Sequence, residues 1–382
     1  LLQMMEEFGL ETVDPLADEI IARSENALRS AIREIPNGVY ENEVWSDGFE
    51  EPLRLKVAVT VNDDSIDIDF DGSSKQSERG INVVLNYTKG YASFAVKAAI
   101  SPEVPHNEGA FRPVNITAPE GTILNCRRPA AVASRHLVGH FLPGLILGAL
   151  ADVIPDRVLA GGADPGWMSI WRATWPKTGK GANFTLFQLG GTGARPTKDG
   201  LSTTGFPSGV GGVPAEVIET QAPIVQLKRE MRIDSGGAGK FRGGLGQSTD
   251  FSHVGEAKWS ISGMIDRTLF EAQGLMGGEP GAIGEFKLNG EQAPPKTVMW
   301  MAPDAVISLN PPGGGGYGDR FKRDPERVLE DVVAGYVSIE AAREQYGVVI
   351  LYTGRPEALV RMPEAYRLDM EETTKLREAL SA

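Results

Sequence analysis

Glycine placement constrains this chain more than any other feature. The segment Asp234-Ser235-Gly236-Gly237-Ala238-Gly239-Lys240-Phe241-Arg242-Gly243-Gly244-Leu245-Gly246 and the run Gly313-Gly314-Gly315-Gly316 break it into short elements joined by tight turns. With 46 glycines and 25 prolines in 382 residues, the content exceeds the usual share. It stays below the roughly 25–30% typical of low-complexity disorder. At 41% apolar residues the chain can bury a real core, and its length suits about two or three domains, with a candidate sub-boundary near 155–166.

Hydrophobic periodicity places the elements. Leu1 to Phe8 reads as a helix closed by Gly9, without an initiator Met or a secretory pattern, so further residues are expected upstream. Asp14-Pro15 caps a second helix, with Leu16, Ile20, Leu28 and Ile32 on one stripe and Pro36-Asn37-Gly38 as its stop. Alternation over Leu53–Val61 and Ile66–Phe70 around Asn62–Ser65 predicts a β-hairpin with one buried face. Tyr87–Ile100 reads as a small-residue helix, and Phe111–Cys126 as short strands broken at Pro119-Glu120-Gly121. Ser134 is placed to cap an apolar helix running through Leu150, kinked at Pro143. From Trp167 to Met301 the runs turn β-like, as in Ala182–Leu189, Trp259–Met264 and Val298–Met301. Asp324-Pro325 to Gly335 and Ser338 to Gly347 then form two short helices. The fold class that follows is α+β: mixed and β-rich with glycine-rich turns, an N-terminal helix and β-hairpin, and short C-terminal helices.

Charge and composition exclude several function classes. A net charge of −13 repels a polyanion such as nucleic acid. The most apolar stretch, Phe141–Ile154, holds Pro143 and Gly144 and is shorter than the ~20 residues that span a bilayer. Cys126 stands alone, so no internal disulfide forms, and a reducing compartment, the cytoplasm, is expected.

Familiar motifs fail on context. Asp67, Asp69, Asp71, Gly72 and Glu78 satisfy the calcium-loop spacing of an EF-hand, but Ile66, Ile68 and Phe70 make this a strand whose aspartates face solvent. His136 and His140 stand four apart, as two zinc ligands on a helix would. No Glu follows His136 in the HExxH manner, and only His106 and His253 remain, so the pair reads as a polar helix face, off the core, lining a cleft; no metal ligand is assigned. Asp234-Ser235-Gly236-Gly237 has the wording of a serine-protease nucleophile turn without a companion histidine segment; an amide-rich anion nest is the functional alternative. Gly313, Gly315 and Gly318 fit GxGxxG, yet Pro311-Pro312 precedes them and the next helix starts only at Asp324-Pro325, so no dinucleotide site follows. No stretch fits GxxxxGK[ST].

The order of the glycine motifs is more telling than any one of them. Asp69-Phe70-Asp71-Gly72-Ser73-Ser74, Gly80-Ile81-Asn82 and Asn107-Glu108-Gly109-Ala110-Phe111-Arg112-Pro113 are followed by Arg128-Pro129-Ala130-Ala131-Val132 with Arg135. Gly190-Gly191-Thr192-Gly193-Ala194, Asp199-Gly200, Pro214-Ala215-Glu216 with Glu219, the 234–246 segment, Gly313–Asp319 and Tyr346-Gly347-Val348-Val349 complete the series. Together they resemble the hydantoinase B/oxoprolinase family from about the first helix to Val349. A similar scaffold occurs in the large subunits of acetone carboxylase-like enzymes.

The resemblance implies a two-component cytoplasmic enzyme. A hydantoinase A-like ATPase subunit would use ATP to phosphorylate a carbonyl oxygen of a hydantoin, 5-oxoproline or a related lactam, and the B-type component in a hetero-oligomer would open the ring. A ketone carboxylase subunit and a non-catalytic assembly platform are the alternatives. Family metal ligands, His and Asp, lie upstream of this segment, so a divalent metal is expected there. A phosphorylated oxygen calls for cationic or amide donors, which makes Arg112, Arg135 and Arg242 candidates, with Glu216, Glu219 and Asp234 as acid/base groups or their partners. Each of those arginines is equally suited to holding backbone carbonyls. Asn107, Gly190, Gly191, Gly193, Ser235 and Gly236 are candidate substrate-binding positions.

Overall fold

The protein is described from a computed structural model covering every residue except 356, 359 and 382, and excluding the side chain of 381. The helices are α1 (Leu2–Phe8), α2 (Asp14–Ile32), α3 (Leu85–Ile100), α4 (His136–Gly139), α5 (Phe141–Ala149), α6 (Ala215–Gln221), α7 (Pro325–Val333), α8 (Ile339–Tyr346) and α9 (Met370–Ser381). A first sheet is built from β1 (Gly38–Ser46), β2 (Leu53–Asn62), β3 (Ser65–Asp69) and β4 (Val114–Thr117), with only β3 and β4 parallel. Then come β5 (Trp167–Thr174), β6 (Gly181–Gln188), β7 (Ile224–Met231), β8 (Gln247–His253), β9 (Trp259–Met264), β10 (Glu285–Leu288), β11 (Glu291–Gln292), β12 (Val298–Met301) and β13 (Val306–Asn310). They form two antiparallel sheets, β12-β9-β5-β6 and β11-β10-β13-β8-β7. A ribbon of β14 (Val349–Tyr352) and β15 (Tyr366–Asp369) ends the chain with α9.

Three apolar clusters follow. The first packs α2, α3 and α5 on the inward face of β2 and β3, where Leu53, Leu55, Val57, Val59 and Val61 are buried as their alternation requires. The second joins the two later sheets: Trp171 of β5 stacks on Phe184 and Trp259 at 5.8 and 5.7 Å and meets Phe251 of β8 edge-on at 5.2 Å. The third holds α7 and α8 with Val348 and Ile350. Asp324 and Ser338 cap α7 and α8 with their side chains, and Gly347 closes α8 in a left-handed conformation, φ 61°.

Between the clusters lies a bundle of extended glycine-rich segments that belong to no sheet. The 311–318 stretch runs inside it: Gly313, Gly314, Gly315 and Gly316 donate to the carbonyls of Ala282, Gly244, Gly161 and Glu279 at 2.8–3.1 Å. In turn Gly191, Gly237 and Ala194 donate to Pro312, Gly314 and Gly315. A Cβ on Gly313, Gly191 or Gly193 would stand 1.8 Å from the carbonyl oxygen of Ser235, Gly244 or Ala160. As at the crowded axis of collagen, only glycine lets neighbouring backbones approach so closely.

An ion network clamps one end of this bundle. Arg323 spans Asp199, at 2.7 and 2.9 Å, and Asp331, at 2.7 Å; buried Arg242 reaches Asp331 through Nε at 3.3 Å and gives its amide to Asp199 at 2.7 Å. Burial opposes the charge on Asp199, yet the Arg323 bonds hold its carboxyl below the ordinary range.

Several expectations need correction. Val13, not Asp14, occupies the cap of α2, and its first turns are unburied, with Leu16 and Ile20 over two-fifths exposed. β1 was hidden because its inward face mixes Tyr40 and Val44 with Asn42 and Ser46, which blurs the apolar period. The 111–126 stretch yields one strand, β4, because Asn125 Nδ2 bonds the Ala118 carbonyl and closes a loop after it. The long apolar helix divides at His140 into α4 and α5, Ser134 provides no side-chain cap, and Pro143 lies in the first turn of α5, where its missing N–H costs nothing. His140 is 6% exposed, inside the packing and not on a polar face.

Alanine at Gly191 or Gly314 is expected to lower stability by about 3 kcal/mol or more in chemical denaturation, because backbone must move on all sides. Gly90→Ala on the exposed side of α3, with open space at its Cβ, should instead stabilise by about 0.5–1 kcal/mol.

Candidate functional site

The end of β1 and the turn after β9 meet at a buried carboxylate. Asp266 accepts from the Ser46 hydroxyl at 2.8 Å, the Asp47 amide at 3.2 Å, the Arg267 amide at 2.8 Å and Lys296 Nζ at 2.6 Å. Asp47 answers across the junction, accepting from Thr268 N–H and hydroxyl at 2.7 and 2.8 Å and from Leu269 N–H at 3.2 Å. The first sheet and the later sheets are thus latched together by charged hydrogen bonds.

The latch also sets the backbone of Arg267, which lies at φ 60°, a left-handed conformation uncommon for a side-chain-bearing residue. Its guanidinium lies over Phe141 at 4.6 Å and donates from Nε to the Asp164 carbonyl at 2.9 Å and from Nη1 to the Glu271 carbonyl at 2.7 Å. Nη2 has no hydrogen-bond partner among the described residues. Arg267 and Asp164 line a cavity of about 380 Å³ whose wall includes Trp45, Phe141, Leu145 and Phe270. Trp45 and Phe270 stack on one another there at 6.1 Å.

Burial pushes the Asp164 carboxyl up to about 7, against the pull of Arg267. Burial and then Asp266 raise Asp47, and burial lowers Arg267 from its ordinary value. A carboxyl titrating near neutrality beside a guanidinium in a cleft can both take and give a proton, while Nη2 and the ring wall hold a planar polar ligand.

None of the sequence-derived candidates lines this cavity. Arg112 pairs with Glu25 at 3.2 Å and Glu108 at 2.9 Å; Asn107 accepts from Ala110 N–H and donates to Ser24 at 2.7 Å. Both tie the 107–112 loop to α2. Arg135 lies over Tyr87 at 5.3 Å and bonds the Val132 carbonyl, and Glu216 stands exposed in the first turn of α6. Asp234 accepts from Ser338 N–H at 2.8 Å; Ser235 donates to the Arg232 carbonyl and accepts from Gly246 N–H. These two, with Gly190, Gly191, Gly193, Gly236 and Arg242, are brought together in the glycine bundle. Gly190 and Gly191 stand behind Asp164 around a narrow crevice also lined by Thr192, Thr204 and Phe206.

The sequence reading missed Asp47, Asp164, Asp266, Arg267 and Lys296. Their only signal is an acidic residue at an element's edge, Asp164-Pro165 before β5 and Asp266-Arg267 after β9, which no spacing rule distinguishes from a turn.

The scaffold is a sheet-layered α+β fold closed by a glycine bundle, with the Asp164–Arg267 cleft between its walls. The model of the family Hydantoinase B/oxoprolinase matches residues 1–320, and the chain belongs to that family. An uncharacterized protein of Methanocaldococcus jannaschii is 33% identical over 99% of this chain and 65% of its own length. A putative B-type component of a D-/L-hydantoinase from a Pseudomonas species is 28% identical over 99% of the chain and 64% of its own. The crystal structure of the ATP-dependent caprolactamase of Pseudomonas jessenii superposes with a TM-score of 0.84 at 23% identity, covering 99% of this chain and 66% of that one, and so shares the fold. The chain spans about two thirds of the length of these two curated relatives. Among the described residues no helix is long and apolar enough to cross a membrane.

The raised Asp164 carboxyl fixes a pH dependence. Relative to an unfolded carboxyl near 4, the folded group holds its proton more tightly, so its stabilising contribution is full below about pH 4 and is lost as pH rises through 7. Asp164→Asn should remove this slope: between pH 4 and 7.5 the native protein should lose on the order of 2–4 kcal/mol relative to the variant, measured by urea unfolding across that range.

Proposed function

We propose that this chain is the B-type, hydrolytic component of an ATP-dependent cyclic amidohydrolase. In this reading it acts on hydantoins, 5-oxoproline or related lactams with a separate hydantoinase A-like ATPase subunit in a cytoplasmic hetero-oligomer. Family membership supports the reaction class, and one observation carries the role of this chain: Asp164 and Arg267 share a cavity large enough for a substituted five- to seven-membered ring.

Opening an amide ring whose oxygen has been activated requires three things of its host. Negative charge on the oxygen must be met by a donor, the attacking water must lose a proton, and the leaving ring nitrogen must gain one. Arg267 Nη2 supplies the donor. Asp164, near neutrality half-protonated, supplies the proton exchange. The dry wall of Trp45, Phe141 and Phe270 strengthens both by excluding water.

The other candidates act at a distance in this reading. Arg242, Asp234 and Ser235, with Gly190, Gly191, Gly193 and Gly236, fix the bundle behind Asp164; Arg112 and Asn107 hold α2; Arg135 and Glu216 stand clear of the cavity. In this reading the divalent metal that the family resemblance implies is held by residues preceding this chain. No step above runs through it.

The full protein with its ATPase partner should open hydantoins or 5-oxoproline only when ATP is present. Asp164→Asn and Arg267→Lys should each lower kcat by about 100-fold or more, with assembly intact by size-exclusion chromatography, while Arg112→Ala stays within about threefold. Ring opening without partner or ATP would end this reading. Bicarbonate-dependent fixation of labelled carbon would point to the carboxylase alternative, and unchanged turnover in both cavity variants to an assembly platform.

A further inference from the structure

Three histidines outside the cavity carry buried nitrogens with nothing to bond: His253 stands apart on β8, stacked on Trp259, whereas His136 and His140 lie together. His136 Nε2 and His140 Nδ1 are buried and unpartnered. A buried polar atom left so is destabilising unless something fills it. The two rings are neighbours: His140 N–H donates to the His136 carbonyl at 3.1 Å, so the helical turn between them is unbroken, and their centroids lie 5.6 Å apart. Two imidazoles bound to one ion at about 2.0–2.1 Å, around a tetrahedral or wider angle, have centroids roughly 5–6 Å apart.

Phe187 packs against His136 at 6.0 Å and Tyr91 against His140 at 5.5 Å, holding the rings in place. The hydroxyls of Tyr87 and Tyr91, 3.5 Å apart, are the neighbouring oxygen donors, and Arg135, over Tyr87, is the nearby charge.

We propose that His136 and His140 bind one borderline divalent metal ion, of the zinc, cobalt or nickel class, with solvent completing its coordination. Two imidazoles without a carboxylate select such ions over magnesium or calcium, which take oxygen ligands. The i, i+4 spacing pre-organises the pair at no cost in loop closure, and the second nitrogen of each ring remains for a water or hydroxyl partner.

The test loads the metal-stripped protein with Co²⁺ or Zn²⁺ and counts bound ions by inductively coupled plasma mass spectrometry after gel filtration, with cobalt visible spectra in parallel. Wild type should hold one ion per chain more than His136→Ala and His140→Ala, and its thermal transition should rise with Zn²⁺ where theirs does not. His253→Ala, an aromatic-stacked histidine on β8, should match wild type. If an alanine variant fails to fold, judged by circular dichroism, His136→Gln and His140→Gln replace it in the same count. Equal ion counts in wild type and the folded variants, or a crystal structure grown with Zn²⁺ that shows water on both nitrogens, would overturn the proposal.

Discussion

Close backbone approach in the glycine bundle is the constraint on which the rest depends. Gly191, Gly193, Gly313 and Gly314 bring carbonyls to where a Cβ would stand, so segments from distant parts of the chain meet at hydrogen-bonding distance without forming a sheet. A sheet satisfies its backbone along two neighbours, but this bundle satisfies it in several directions at once, which fixes each segment against sideways shift. The cost is the conformational freedom that glycine loses on folding. Cooperative hydrogen bonding and the buried Asp199–Arg323–Asp331–Arg242 network offset it.

Rigidity there is transmitted to the cleft. Residues 160–164 enter the bundle through Gly161, which receives Gly315 N–H, and leave it carrying Asp164 into the cavity. Residues 272–275 enter it through Leu275 and Gln273 and carry Phe270 and Glu271 on the other wall. Both walls are therefore referenced to one backbone frame, the arrangement that holds a reacting group to within a fraction of an ångström.

Local structure was legible wherever one rule dominated. The alternation in β2, the caps of α7 and α8 and the bounds of β9 and β12 follow from residue type and period alone. The antiparallel α+β class follows from their order. Where two rules compete, the reading falters: β1 carries Asn42 inward because its amide reaches the Leu145 carbonyl at 2.9 Å, a tertiary bond that no periodicity announces. The same holds for the site. Glycine and arginine drew attention because they stand in distinctive motifs, and the structure places them in packing and clamping contacts; Asp164 and Arg267 acquire their properties only from burial and from partners about a hundred positions away. His136 and His140 show both effects, since their spacing was visible and their burial was not.

The junction between the sheets explains why a carboxyl near neutrality arises there. Asp47, Asp164 and Asp266 face two cations, Arg267 and Lys296, so full ionisation would leave one buried negative charge unmatched. Asp266 takes four donors, including Lys296 at 2.6 Å, and Asp47 takes three from the 268–269 backbone and hydroxyl. Asp164 receives no side-chain hydrogen bond, since Arg267 gives its Nε to the Asp164 carbonyl; only its own backbone amide and the nearby Arg267 charge favour the ionised carboxyl. Burial raises the Asp47 and Asp164 carboxyls alike, and Asp164 is the one that lines the cavity beside Arg267. The latch gives Asp47 and Asp266 their hydrogen-bond donors, whereas Asp164 faces the cavity beside Arg267, whose backbone is left-handed.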